Sequence, residues 1–159
     1  MDRRALLSLL GTAGIGGLAG CSTATSTTPE VASSSIQALD RRCRDAPDES
    51  ATITPSSDDG TRIRIEGSIA VPRVADGLSV TALNGVGERD RDDADMEVRI
   101  DFNPADSPPN TDLPECEGEI AYDAAVEFTH PPMDVTVRHT VEDAGSFTLK
   151  TMATRTITR

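Results

Sequence analysis

Hydrophobic and polar residues alternate along much of this chain, which is typical of β-strands with one face on a core and the other in water. The clearest case is Ile120–Phe128, where every second residue is apolar. Shorter stretches with the same alternation are Ile63–Val71, Leu78–Ala82, Met96–Phe102, Val135–Val141 and Phe147–Leu149. We expect the apolar residues to face the core and the residues between them, such as Glu97 and Arg99, to face solvent.

Turn-forming residues separate these stretches and set the expected number of strands. They occur at Asp58–Gly60, Asn84–Gly85 and Asp143–Gly145, and in the proline-rich loops Asn103–Pro114 and His130–Pro132. With Ala51–Thr54 as a short first strand, the pattern predicts about seven strands. This favours an all-β fold, an antiparallel β-sandwich of immunoglobulin-like type, with a small barrel as the alternative. Only Ser34–Arg42 has a spacing that a helix would also fit.

The start of the chain carries a different pattern. Arg3 and Arg4 precede an apolar run that ends in Leu18-Ala19-Gly20-Cys21. This arrangement predicts a lipoprotein signal peptide over residues 1–20, with Cys21 as the lipidated residue. The two arginines favour twin-arginine export, and Sec export is the alternative. Because the run is shorter than the roughly 20 residues needed to cross a bilayer, we expect a lipid anchor on the extracellular side of the cell membrane.

The remainder divides into a spacer and one domain. Residues 21–35 are rich in serine and threonine, which predicts a flexible spacer. Residues 36–159 are expected to form the β-sandwich, as a single monomeric domain.

Composition narrows the environment and the partners. The chain has a formal charge of −12, a single lysine and three phenylalanines, one tyrosine and no tryptophan. Abundant carboxylates with almost no lysine are typical of proteins from extreme halophiles, where molar salt shortens the Debye length to about 3 Å. An acidic surface for cationic ligands is the alternative. No basic patch is present to neutralise phosphates, so we do not expect nucleic-acid binding.

Two further cysteines, Cys43 and Cys116, remain once Cys21 is assigned to the lipid. In an exported domain, two thiols most simply form one disulfide. Closing a loop of roughly 70 residues would contribute on the order of 4 kcal/mol in the chain-entropy model. The alternative is a pair of free thiols for redox or metal chemistry.

The segment Cys116-Glu117-Gly118-Glu119-Ile120-Ala121-Tyr122, with the strands that follow it, resembles a group of small haloarchaeal lipoproteins of unknown function. The resemblance covers most of residues 40–141. It implies two further cysteines, one near residues 72–76 and one at Leu113, and this chain has neither. Loss of both is consistent with the loss of one bridge and survival of Cys43–Cys116. The resemblance implies location, fold type and a halophilic source, but no catalytic residues.

Candidate chemistry is sparse. Cys116, His130 and Met133 include the ligand types of a blue-copper site, but the fourteen-residue spacing from Cys116 to His130 is unlike the usual tight ligand loop. Asp90 and Asp92 are alternate carboxylates of the kind that Ca²⁺ binds, but Ala94 takes the next alternate position and no glycine provides the sharp turn, so this run is interpreted as a solvated hairpin loop. His139 shares the apolar parity of its strand and is interpreted as a core residue. No hydrolase, phosphate-loop or dinucleotide motif occurs.

These observations favour a non-enzymatic surface or accessory interaction module, with no cofactor, metal or catalytic residue assigned. Its expected partners are the membrane, through the lipid at Cys21, and an unidentified surface protein or transporter component. The alternative function is a small solute- or metal-binding lipoprotein that serves a transporter, which would require a pocket.

Overall fold

The computed structural model describes residues 28–84, 94–106 and 112–157, and within them the fold is all-β as predicted. The described residues form eight strands, one more than the alternation suggests, with a short 3₁₀ turn at Pro104–Asp106. The strands are β1 (Val31–Cys43), β2 (Ser50–Pro55), β3 (Arg62–Val71), β4 (Gly77–Asn84), β5 (Met96–Asn103), β6 (Gly118–Phe128), β7 (Asp134–Asp143) and β8 (Ser146–Thr156).

The strands form two four-stranded sheets, which confirms the β-sandwich. Sheet A has the order β1-β6-β3-β2, and sheet B has the order β4-β5-β7-β8. Five of the six neighbouring pairs are antiparallel, whereas β5 and β7 are parallel. The predicted antiparallel β-sandwich is therefore confirmed, with the parallel β5–β7 pair as a local departure from it. After β5 the chain crosses to sheet A as β6 and returns to sheet B as β7, which places β7 parallel to β5. The sequence did not indicate this pairing, because apolar and polar residues alternate in the same way in parallel and antiparallel strands.

The hydrophobic core lies between the sheets and is built from the predicted apolar residues. Its aliphatic residues come mainly from β3, β5, β6 and β7, the strands with the clearest alternation. The fully or almost fully buried members include Ile63, Ile65, Ile69, Val98, Ile100, Ile120, Val126, Val135 and Val137. The parity read from the sequence is therefore correct in each central strand.

The region that a helix could also fit is a strand. β1 begins at Val31, so the folded domain starts before the predicted boundary at residue 36 and takes in the end of the predicted spacer. A register shift between Ala38 and Asp40 leaves Leu39 exposed. This irregularity breaks the alternation, and it explains why Ile36 and Leu39, three residues apart, resemble one face of a helix.

Strand β8 lies at the edge of sheet B and departs from the expectation for its apolar residues. Phe147 and Leu149 were expected on the core face, but they are 64% and 37% exposed. They lie opposite Glu142 and Thr140, which alternate with the core-facing residues of β7. Phe147 contacts Phe102 instead, with ring centroids 6.1 Å apart.

The turn between β7 and β8 matches its sequence. Ala144 and Gly145 have φ angles of 48° and 81°, as a two-residue type I′ hairpin requires. This predicted turn is confirmed.

Strand directions define two ends of the sandwich. The N-terminal end holds the start of β1 and the end of β6, where Thr129 N donates to Glu30 O at 2.8 Å. The disulfide end holds the end of β1, the start of β6 and the β7–β8 hairpin. In the described part of the chain, no helix has the length and apolar character to cross a membrane.

Candidate functional site

The residues expected to direct export and anchoring are not among those described. Arg3, Arg4 and Cys21 lie outside the described residues, as do Asp90 and Asp92 of the acidic run. Lipidation at Cys21 and the interpretation of the acidic run as a solvated loop therefore stay predictions.

Cys43 and Cys116 form the predicted disulfide, with their Cα atoms 5.7 Å apart. Cys43 is the last residue of β1, and Cys116 lies two residues before β6, so the bond links the ends of neighbouring strands. The same bond removes the blue-copper alternative, because Cys116 has no free thiolate. His130 follows the far end of β6, and a strand of that length places it roughly 35 Å away.

A hydrogen bond crosses the core between the two sheets. Tyr122 Oη of β6 lies 2.7 Å from His139 Nε2 of β7, and both residues are buried. Gly67 makes room for the tyrosine, because a Cβ at that position would lie 2.7 Å from Tyr122 Oη. Burial raises the pKa of Tyr122 above its ordinary value and lowers the pKa of His139 to about 4. The prediction of His139 as a core residue is confirmed.

Behind the imidazole lies a carboxylate that sequence reasoning did not single out. His139 Nδ1 is 3.9 Å from Glu49 Oε1, and Lys150 Nζ binds the other oxygen of Glu49 at 2.6 Å. Since the neutral imidazole has one donor, accepting from Tyr122 at Nε2 places the proton on Nδ1, facing the carboxylate. The opposite tautomer would direct a lone pair at Glu49. Both Nδ1 and Oε1 are buried without a hydrogen-bond partner.

Glu49 also lines a pocket of about 460 Å³ at the disulfide end. Two more carboxylates, Glu117 and Glu142, border it, and its apolar wall includes Val71, Pro72 and Val141. This volume is within the range of small-molecule sites. The carboxylates would suit a small cation with an apolar part.

The outer face of sheet B, which is the face turned away from the core, holds a second cluster of charges. Glu97 lies on this face as predicted, yet its side chain is only 1% exposed. Arg99 Nε binds Glu97 Oε1 at 2.6 Å, and Arg138 Nε lies 3.4 Å from Glu97 Oε2. Leu83 and Thr136 occupy the positions opposite Glu97 on the neighbouring strands. The carboxylate is therefore covered by its neighbours.

The outer face of sheet A arranges its charges differently. Arg64 binds Asp123 through two hydrogen bonds of 2.8 Å, and Arg62 binds Glu127 at 2.9 Å. Hydrogen bonding and the charge of Asp123 raise the pKa of Arg64. Both the arginines and their partners are substantially exposed.

Among the residues that the structure covers, no cluster of three or more histidine, cysteine, aspartate or glutamate side chains could hold a metal ion. No protein-family model, curated protein or solved structure matches the chain.

Proposed function

We propose that this protein is a lipid-anchored module on the extracellular side of the membrane that binds a partner and performs no catalysis. The observation that carries the proposal is the run Leu18-Ala19-Gly20-Cys21 after Arg3-Arg4. The folded domain begins at Val31, a short distance beyond Cys21. A lipid at Cys21 would attach beside the N-terminal end of the sandwich and leave the outer faces of both sheets accessible.

The buried polar groups support a binding role over catalysis. Tyr122 and His139 are 1% and 0% exposed, so a substrate would not reach either without opening the core. The pocket offers carboxylates, but its glutamate nearest the core is already bound by Lys150. The high acidic content and the exposed ion pairs on sheet A support a high-salt environment.

Replacing the lipidated residue tests the anchor. We expect Cys21→Ser to release the protein from membranes into the soluble fraction, measured by fractionation and immunoblotting. The double variant Cys43→Ser/Cys116→Ser is the matched control, because it removes the other two cysteines and should stay with the membrane. Retention of Cys21→Ser in the membrane fraction would contradict the proposal.

The pocket supports a second candidate, binding of a small cationic solute for a transporter. Its volume and its three glutamates are the specific observation. Titration with ethylammonium should shift the backbone amide signals of Ala70 and Val71 in NMR spectra, and titration with acetate should not. Equal or absent shifts would remove the solute-binding candidate and leave the interaction module.

A further inference from the structure

We infer that the outer face of sheet B is the partner-binding surface, and that Arg99 and Arg138 bind carboxylates of an acidic protein there. This inference rests on the proposed function and deepens it by naming the face and the chemistry of the partner.

The two arginines are neighbours with one shared carboxylate beneath them. Arg99 of β5 lies directly opposite Arg138 of β7 in the parallel pairing. Like charges in that position repel, and Glu97 lies against both guanidinium groups and relieves the repulsion. The arginine side chains are 29% and 26% exposed, whereas Glu97 is 1% exposed. An approaching partner therefore meets guanidinium atoms before it meets a carboxylate.

The contacts with Glu97 orient the arginines and leave their outer nitrogens available. Arg99 Nε donates a hydrogen bond to Glu97 Oε1, whereas Arg138 Nε forms an ion pair with Glu97 Oε2 at 3.4 Å without a hydrogen bond. Within the described parts of the chain, no other hydrogen bond or ion pair engages the Nη atoms of Arg99 or Arg138. A guanidinium held at Nε still presents Nη donors to an incoming carboxylate, and a pair of such groups favours a planar oxyanion.

Hydroxyl groups surround the pair and extend the same chemistry. Thr81, which is exposed, lies opposite Arg99 on the edge strand β4. Thr136 and Thr154 share a hydrogen bond of 3.2 Å beside Arg138, and Thr140 donates to Asp101. The centre of the face thus combines the arginine pair with hydroxyl groups, Glu97 is covered and Asp101 is bonded to Thr140. The other two carboxylates of β7 on this face, Asp134 and the exposed Glu142, lie four residues from Arg138 towards the two ends of the strand.

Sheet A cannot offer the same surface. Arg62 and Arg64 are 54% and 51% exposed, but their partners Glu127 and Asp123 are also exposed, at 41% and 27%. A partner carboxylate that approaches these arginines would also come close to the exposed carboxylates of Glu127 and Asp123, which would repel it. Sheet A therefore presents balanced charge, while the centre of sheet B presents cationic atoms.

The acidic character of the chain indicates the class of partner. A chain with formal charge −12 repels another acidic protein over most of its surface. If the partner shares a high-salt environment, it carries a similar excess of carboxylates. At the arginine pair, this protein and an acidic partner can make contact without bringing carboxylates against carboxylates. Because molar salt screens charges beyond about 3 Å, direct hydrogen-bonded contacts of this kind count for more than long-range attraction.

A binding experiment with matched variants tests this inference. The probe is fluorescently labelled poly-L-glutamate, and its anisotropy is measured with the full-length lipid-anchored protein in detergent at molar sodium chloride. We expect Arg99→Gln/Arg138→Gln to weaken binding about tenfold or more, because two charge-assisted contacts are lost. The control Arg62→Gln/Arg64→Gln removes the same charge from sheet A and should change affinity by less than about twofold.

Circular dichroism establishes whether the variants are folded. If Arg99→Gln/Arg138→Gln does not fold, Arg99→Lys/Arg138→Lys decides, since it keeps the charge and removes the planar fork. It should then fold and bind poly-L-glutamate more weakly than the wild type.

Three results would overturn the inference. The first is that the wild type does not bind poly-L-glutamate, and the second is that the sheet A and sheet B variants lose affinity for it equally. The third is that the wild type binds dextran sulfate more tightly than poly-L-glutamate, which would indicate an anionic polysaccharide as the partner. None of these results bears on attachment to the membrane through Cys21. If Cys21→Ser is released into the soluble fraction and one of these three results is also obtained, the proposed function stands. Only the assignment of partner binding to the outer face of sheet B is then wrong.

Discussion

The outer faces of the two sheets hold charge in different ways. On sheet A, Arg62 and Arg64 pair with exposed acids, and water and salt screen these charges. The buried carboxylate of this sheet, Glu119, lies at the disulfide end and is bound by Arg44. Sheet B buries ionisable groups, with Glu97 under two arginines on its outer face and His139 in the core. Exposed pairs contribute little to stability, whereas buried groups depend on their partners. Sheet B should therefore be the more sensitive to mutation and pH.

The largest expected effect comes from removing the buried carboxylate. Glu97→Ala should lower the free energy of unfolding by about 3 kcal/mol, because it leaves two facing guanidiniums without their shared partner. Glu127→Ala, the matched change on sheet A, should cost at most about 1 kcal/mol. Denaturant unfolding at molar salt measures both. Equal losses would show that the two faces do not differ in the way described.

The next effect concerns pH and the core of sheet B. The pKa of His139 is lowered to about 4, while Glu49, Lys150 and Tyr122 face its ring. Between pH 6.5 and 4 the unfolded chain therefore binds a proton that the folded chain excludes. Stability should fall across that window as pH falls, by up to roughly 3 kcal/mol. His139 contributes no such dependence above the window.

Two histidine variants isolate this contribution. His139→Gln should flatten the fall in stability between pH 6.5 and 4, since its amide does not titrate and still accepts a hydrogen bond from Tyr122. His130→Gln replaces the other histidine, which lies outside the strands, and should leave the slope as in the wild type. A slope unchanged by His139→Gln would contradict the assignment.

The smallest effect is expected on sheet A. Arg64→Gln breaks exposed pairs with Asp123 and Glu66, so it should lower the free energy of unfolding at molar salt by less than about 1 kcal/mol, measured by denaturant unfolding.

Transfer of the wild type to dilute buffer should lower the melting temperature, because carboxylate repulsion is no longer screened. A melting temperature that is independent of salt would favour the alternative that the acidity serves cationic ligands.

Much of the fold could be predicted because the central strands alternate strictly. The apolar parity of β3, β5, β6 and β7, the Ala144-Gly145 turn and the Cys43–Cys116 pair all follow from local pattern or cysteine count. The parallel pairing of β5 and β7 does not, because alternation is the same in either direction. β1 resembled a helix because its register shift at Leu39 interrupts the alternation.

The candidate site was largely hidden in the sequence. Glu97 was placed on the correct face, but its burial depends on Arg138, a residue of a strand that follows after β6 and lies next to β5 only in the folded sheet. Glu49 lies in a loop before β2 and meets His139 and Lys150 across the sandwich. No local spacing indicates such contacts. His139 alone carried a usable signal, because its parity placed it in the core.

The most direct test of the account places a photo-reactive residue on each face in cells that make the protein. Thr81 lies opposite Arg99 on sheet B, and Thr54 lies opposite Arg64 on sheet A, so the two positions are matched. At native salt, the probe at Thr81 should cross-link an acidic protein, and Arg99→Gln/Arg138→Gln should abolish the adduct. The probe at Thr54 should give none. The same adduct from both positions, or from Thr54 alone, would contradict the assignment of sheet B as the binding face.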